Sequence, residues 1–423
     1  MFEEFDGPAA SGAPGDSSLV QGVSDWLIDR AFDDSDILEI LRELCERLCA
    51  LGIPLERVNL SWSTLHPMIE AESVIWQRGS AVVLESFPHA DFQREEWLQS
   101  PLRYVIDNDL PALRRRLTGP EALLDFPLLV EFAKRGGTDY VLLATRFLIP
   151  RAELRTGAGE MRGGAGGIVV SWMTSHPGGF TNRHLAVLER LQRRLALTCK
   201  SIILARITRN IANAYLGRIA ASRVLSGQIR HGDGDTIDAV VWYSDLRNST
   251  ALAETMPRER YLSLLNIYFH CTAGAALAAG GEVLDFIGDA VLAIFPYRDS
   301  ATRFEAIRGA SQAIGQADTR RREALDADPD LPLDFGIGVD AGTVVFGNIG
   351  VPERLAFSVI GPTVNQVARI EKLTKETGAT ALATLSIAEA APGLWRPAGA
   401  RQVQGLSAPL DLYAWIGGEG RLQ

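Results

Sequence analysis

The sequence predicts an α+β protein of two domains joined by a helix. Apolar residues recur at helical spacing over 23–51 and 182–228, β-branched and aromatic runs lie between and after these stretches, and 423 residues suffice for two to three cores. The most informative run is 280–295, where two strand-like segments flank Ile287-Gly288-Asp289. That pattern reads as a hairpin with a carboxylate at its tip. Gly288 supplies the backbone freedom such a turn needs, and Asp289 sits where solvent or a ligand can reach it. Taken alone, it reads more readily as a surface turn with a solvated aspartate.

Composition narrows the function. A formal net charge of −10 argues against a nucleic-acid-binding surface. The four cysteines are too few and scattered for a disulfide framework, and the six histidines lack zinc-ligand spacing. No apolar run reaches the roughly 18 to 20 residues of a membrane span. The N-terminus is acidic (Glu3, Glu4, Asp6) and has no signal-peptide pattern, so a cytoplasmic protein is expected.

In chain order, 1–22 has the Gly, Ala, Ser and Pro content of a flexible tail, and 23–206 forms a first domain. A helix over 23–51 ends at Gly52 and Pro54, and strands follow at 57–65 and 71–77. The irregular stretch 87–124 includes a short helix with Leu110 and Leu113, and Arg114, Arg115 and Arg116 form its solvated face. A helix at 128–135, strands at 139–148 and 167–174 around a Gly-rich loop, and an amphipathic helix from 182 complete the domain. This order is similar to a GAF-like α/β sensory domain, an antiparallel sheet backed by helices. Such a domain would take a small-molecule or protein regulator, or serve as a dimerisation scaffold without one. A helical linker, 207–235, leads to the last domain, 236–418.

In that domain a strand ends on Asp245, and two helices, the hairpin, a helix over 300–325, strands at 333–339, 342–349 and 357–360, and a helix over 363–377 follow. Asp245 and Asp289 end neighbouring strands, and paired carboxylates are a common cradle for divalent metal with phosphates. The run Arg247, Asn248, Ser249, Thr250 opens a helix and can turn N–H groups to a phosphate. Asn365 and Arg369 lie i,i+4 on one helix face, an amide and a guanidinium pointing the same way.

Four ordered motifs then carry a resemblance: 242–250, 280–295, 345–350 and 359–369 look like those of class III nucleotidyl (adenylate/guanylate) cyclases. The resemblance implies a ferredoxin-like catalytic domain in a head-to-tail homodimer, acting on a nucleoside triphosphate. Asp245 and Asp289, with Leu246, would hold two Mg²⁺ or Mn²⁺ ions. Asn365 would orient the ribose, and Arg369 from the other chain would stabilise charge on the α-phosphate. The expected reaction is ATP to cyclic AMP and pyrophosphate. The sequence departs from the family at the base-reading positions, with Asp285 where adenylate cyclases usually have Lys, and with Ser358. Guanine offers donors at N1 and N2 that a carboxylate accepts, so this pair leans towards GTP. Gln404 replaces a triphosphate-binding Lys, for which Arg401 could substitute. A degenerate, nucleotide-binding relative is the remaining reading.

Overall fold

The computed structural model of the chain describes residues 14–33, 35–148, 165–351, 353–403 and 409–416. Contacts divide the chain into two units, Met1–Ile211 and Ala212–Gln423. Among the described residues no helix is long and apolar enough to cross a membrane.

In the first unit α1 spans Pro14–Arg30 and α2 spans Ile37–Ala50. Helix therefore begins inside the tail expected over 1–22. Proline is tolerated in a first helical turn, and Val20, Val23 and Leu27 are buried. The helix expected over 23–51 is two helices, because Asp36 takes extended backbone and its side chain accepts from Leu38 N at 3.3 Å, an N-cap. The buried face of α2, Ile37, Ile40, Leu41, Leu44, Cys45 and Leu48, follows helical spacing.

The strands are β1 (Arg57–Ser63), β2 (Ile69–Gln77) and β3 (Val83–Pro88), then β4 (Ala112–Arg116), β5 (Asp139–Leu148) and β6 (Ala165–Thr174). Between β3 and β4 lie α3 (Glu95–Leu98) and α4 (Pro101–Asp107), and α5 (Pro127–Lys134) precedes β5. They form one six-stranded antiparallel sheet in the order β3-β2-β1-β6-β5-β4. Alternation gives the sheet two apolar faces. Val141, Leu143, Val170 and Trp172 pack with α1, α2 and α6 (Asn182–Leu216), whereas Tyr140, Leu142 and Met173 pack with residues of α4 and α5.

Arg114, Arg115 and Arg116 are on strand, not on the short helix expected there. Period two points Arg114 and Arg116 to one side, where both bond the buried Asp139, at 2.7 and 3.1 Å. Pairing with β5 and this charge network override the local helical pattern.

The helix expected to run unbroken to residue 228 stops at Gly217 (φ 79°), and α7 (Arg218–Leu225) restarts after it. The second unit continues with β7 (Gly234–Leu246), α8 (Ser249–Thr255), α9 (Arg258–Cys271), α10 (Ala273–Ala278), β8 (Glu282–Ile287), β9 (Ala290–Tyr297) and α11 (Ser300–Ala327). One long strand, β10 (Phe335–Val351), replaces the two expected between 333 and 349, and β11 (Arg354–Ile360) folds back on it. Then come α12 (Pro362–Thr377), β12 (Ala381–Thr384), α13 (Leu385–Ala388), β13 (Trp395–Arg401) and β14 (Leu410–Trp415).

The central strands lie in the order β10-β7-β9-β8, each antiparallel to its neighbour. With helices after β7 and β9, this is the β-α-β-β-α-β ferredoxin-like arrangement. Parallel pairing of β12 with β10 extends the sheet to β14 and β13. On one face Val240, Trp242, Phe295, Phe335 and Ile337 pack with α9, α10 and α11. On the other, Val241, Ile294, Val344 and Phe346 pack with Ala220 of α7 and Val367 of α12.

Helix α12 approaches β10 closely. A Cβ at Gly338 would lie 2.5 Å from Val367 O and 2.8 Å from Glu371 N. Both are backbone atoms, so a larger residue has to push the helix off the strand. Gly338→Ala should cost about 1–3 kcal/mol of stability in urea unfolding of the chain; an unchanged midpoint would contradict this packing.

Candidate active site

Strand register builds the site. Asp245 is the penultimate residue of β7 and pairs with Ala290 of β9 on one side and Gly336 of β10 on the other. Asp289 immediately precedes Ala290, and Gly288 takes the left-handed turn conformation (φ 66°). The two carboxylates are thereby side by side. Burial, followed by the Asp289 carboxylate, pushes Asp245 up to about 6, while Lys375 and a bond from the Leu246 backbone pull the other way. The same pair adds to the burial that raises the hydroxyls of Tyr243, Tyr261 and Tyr268.

Two half-exposed carboxylates that repel one another are a pair of hard oxygen donors. They fit Mg²⁺ or Mn²⁺, whose shell is completed by waters and phosphates rather than by an all-protein cage. Accordingly, among the described residues no group of three or more His, Cys, Asp or Glu side chains is gathered to hold a metal. The side chain of Leu246 is buried, so its part in such a site is restricted to backbone.

The run 247–250 divides. The Arg247 guanidinium bonds Asp334 at 2.9 Å, Ala379 O at 2.8 Å and Thr374 O at 3.3 Å. It braces the scaffold instead of standing ready for phosphate as expected, because an acidic side chain occupies Nη1 and two main-chain carbonyls at and just beyond the end of α12 occupy Nη2. Asn248 turns the chain with left-handed backbone (φ 59°), a conformation Asn tolerates. Ser249 starts α8, and Thr250 is exposed.

Asn365 and Arg369 share one face of α12, with Asn365 exposed and Arg369 half-buried. The buried face, Val367, Ile370, Glu371 and Thr374, lies opposite. Within one chain, therefore, this pair points away from the sheet that carries Asp245. Asp285 is exposed on β8, Ser358 is half-buried on β11, and those two strands are in contact. Arg401 is exposed on β13, whereas Gln404 lies outside the described residues.

Three neighbours of the site escaped the sequence reading. Glu371 is fully buried with both carboxylate oxygens lacking a hydrogen-bond partner among the described residues, and burial, then Asp245, pushes it up to about 7. Its signal was a charge one helical turn after Val367, on the apolar face. Lys375, one turn further, opposes the upward push on both Asp245 and Glu371. Glu282, buried at the start of β8, accepts from Ile219 N at 2.6 Å and caps α7. The connector is thus tied to the strand that leads to Asp285 and Asp289. No local pattern announces that bond.

Residues 235–381 match the family model described as the adenylate and guanylate cyclase catalytic domain. The second unit carries a cyclase catalytic domain. The chain is 30% identical over 179 residues to an adenylate cyclase of Anabaena cylindrica, covering 42% of this chain and 35% of that one. It is 26% identical over 197 residues to adenylate cyclase 1 of Rhizobium meliloti, covering 43% and 28%. The chain thus spans about a third of the length of the curated relatives it matches. A crystal structure of the adenylyl cyclase CyaB from P. aeruginosa is 24% identical, with a TM-score of 0.40, over 45% of this chain and 99% of that one. In the cyclase domain the matched stretch contains Asp245, Asp285, Asp289, Ser358, Asn365 and Arg369.

The raised Asp245 sets a pH dependence. Folded chain holds this proton more tightly than unfolded chain, so the contribution is complete below the ordinary carboxylate range and is lost as pH rises through 6. A divalent cation needs the opposite charge state. Mn²⁺ should therefore raise Tm more at about pH 7.5 than at about pH 5, and Asp289→Asn should remove the difference. Equal metal-induced shifts at the two pH values would contradict this site.

Proposed function

We propose that the cyclase domain converts a purine nucleoside triphosphate to its 3′,5′-cyclic monophosphate and pyrophosphate, with ATP as the first substrate. The observation that carries this is the convergence of Asp245, at the end of β7, with Asp289, in the β8–β9 turn, in a domain that also presents Asn365 and Arg369 outward from α12. Asp245 and Asp289 would hold two Mg²⁺ or Mn²⁺ ions, which lower the pKa of the ribose 3′-hydroxyl and bind the polyphosphate. The 3′-oxygen attacks the α-phosphorus in line as the bond to pyrophosphate breaks. Asn365 orients the ribose by hydrogen bonds, and Arg369 places a guanidinium on the charge that develops at the α-phosphate. Because Asn365 and Arg369 face away from the sheet of their own chain, they would complete the site of a second copy in a head-to-tail homodimer.

A second reading, GTP as substrate, is favoured by Asp285. Its carboxylate is exposed on β8 beside β11, an acceptor suited to guanine N1 and N2, with Ser358 placed to donate to O6. Of the four run residues expected at the phosphates, Asn248, Ser249 and Thr250 remain part of the proposal.

The first unit would regulate the second. Its six-stranded antiparallel sheet with helices on both faces supports a GAF-like sensory domain, and the Glu282 cap on α7 supports transmission through the connector to the catalytic hairpin. A cytoplasmic setting, where both triphosphates are abundant, belongs to the same proposal.

Purified chain with Mn²⁺ and each of ATP, GTP, CTP and UTP should give cyclic product from a purine triphosphate only. Asp289→Asn should abolish it, and Asp285→Lys should move the product ratio from cyclic GMP towards cyclic AMP. No product from any nucleotide would leave a degenerate, nucleotide-binding relative and sink the enzyme reading. An unmoved ratio in Asp285→Lys would remove Asp285 from base recognition.

A further inference from the structure

We propose that the first unit binds a small organic oxyanion in an open cavity of about 470 Å³ lined by Arg114, Arg115, Arg116 and the start of α6. The placement of guanidinium donors favours an anion. Arg114 and Arg116 share the one carboxylate of Asp139, which is fully buried and also accepts from Phe180 N at 2.9 Å. With Asp125 beside Arg115 and Glu121 in the lining, carboxylates formally match the guanidiniums, so the preference for an anion rests on where donors are left unengaged and not on net charge. Arg115 is balanced by Asp125 at 2.8 Å, and Glu121, also in the lining, is exposed.

The cationic wall is pre-formed. Among the described residues every bond of Arg116 goes through Nη1, to Asp139 and to Gly178 O at 3.0 Å. Its Nε and Nη2 therefore remain as a parallel pair of donors, the fork that takes an oxyanion in bidentate fashion. Gly179 makes this arrangement fit. It has left-handed backbone (φ 67°), and a Cβ there would collide with Arg116 Nη1 and lie 2.7 Å from Asp139 Oδ2. Asn182, the first residue of the 35-residue α6, also lines the cavity, so the positive end of a long helix adds to the field.

The cavity is too large for a bare ion. Its volume is within the range of small-molecule sites, about 300–1,000 Å³. Phe180 and Leu123 supply apolar wall for an organic body. The ligand is thus a phosphate ester or a carboxylate of metabolite size, and it would touch the first turn of the helix that leads out of the unit.

This inference does not depend on the cyclase reading, because its readout is binding. The full chain, metal-free in EDTA, is titrated calorimetrically with ribose 5-phosphate and, separately, with succinate. Saturable binding of either probe is expected, and the probe that binds identifies phosphate or carboxylate as the recognised group. Leu123 is half exposed, so its replacement spares the core and the Arg–Asp139 network. Leu123→Glu, which brings a carboxylate to the wall, should weaken binding about tenfold or more, whereas Leu123→Gln should retain it. Failure of both probes to bind, equal binding to Leu123→Glu, or an equal loss in Leu123→Gln would each overturn the proposal.

Discussion

Two like charges held side by side at the ends of neighbouring central strands are the constraint on which the second unit depends. The register of β7 against β9 puts Asp245 opposite Ala290 and so beside Asp289, and the two carboxylates repel one another there against the smaller pull of Lys375 and the Leu246 backbone. Apolar packing holds it: Trp242 and Val240 just before Asp245, and Val291 and Ala293 just after Asp289, are buried under α9–α11. Fully burying a side chain of valine size or larger contributes about 1.5–3 kcal/mol, and Val240, Trp242 and Val291 together outweigh the repulsion of a half-solvated pair. The core thus stores an arrangement that a divalent metal with phosphates would relieve.

The same economy governs α12. Its inner face is fixed by the close approach to Gly338, which commits Val367, Ile370, Glu371 and Thr374 to the sheet. That commitment fixes the opposite face as well, so Asn365 and Arg369 are presented on a rigid helix and not on a loop. Rigidity of this kind is what the roles proposed for Asn365 and Arg369 require. Glu371 enters for another reason: a buried carboxyl with no hydrogen-bond partner among the described residues, raised by burial and then by Asp245, responds to whatever charge the acidic pair carries.

Much of this was legible in the sequence, for identifiable reasons. The hairpin, Asp245 at a strand end and the i,i+4 pair on α12 rest on periods of 2 and 3.6 that act over a few residues, and the structure follows them. What failed was set by distant partners. Arg114 and Arg116 looked helical because their partner, Asp139, lies over 20 residues away in sequence and on another strand. Arg247 looked free for phosphate because Asp334 and the carbonyls of Thr374 and Ala379 come from the far side of the domain in sequence. The Gly217 break in the connector depends on the Glu282 cap, again a long-range contact. Lengths erred likewise: β10 reads as two strands because Asp340 and Gly342 interrupt its apolar pattern, while pairing with β7 carries it through.

The central claim is that one chain supplies the acidic pair and another supplies Asn365 and Arg369. Mixing two inactive chains tests it most directly. Asp289→Asn and Arg369→Ala, each inactive alone, should regain about a quarter of wild-type activity when exchanged in equal amounts, since half the dimers are mixed and each has one intact site. If the exchanged mixture, with mixed dimers confirmed by differential tagging, stays inactive, the two halves of the site belong to one chain and the account is wrong.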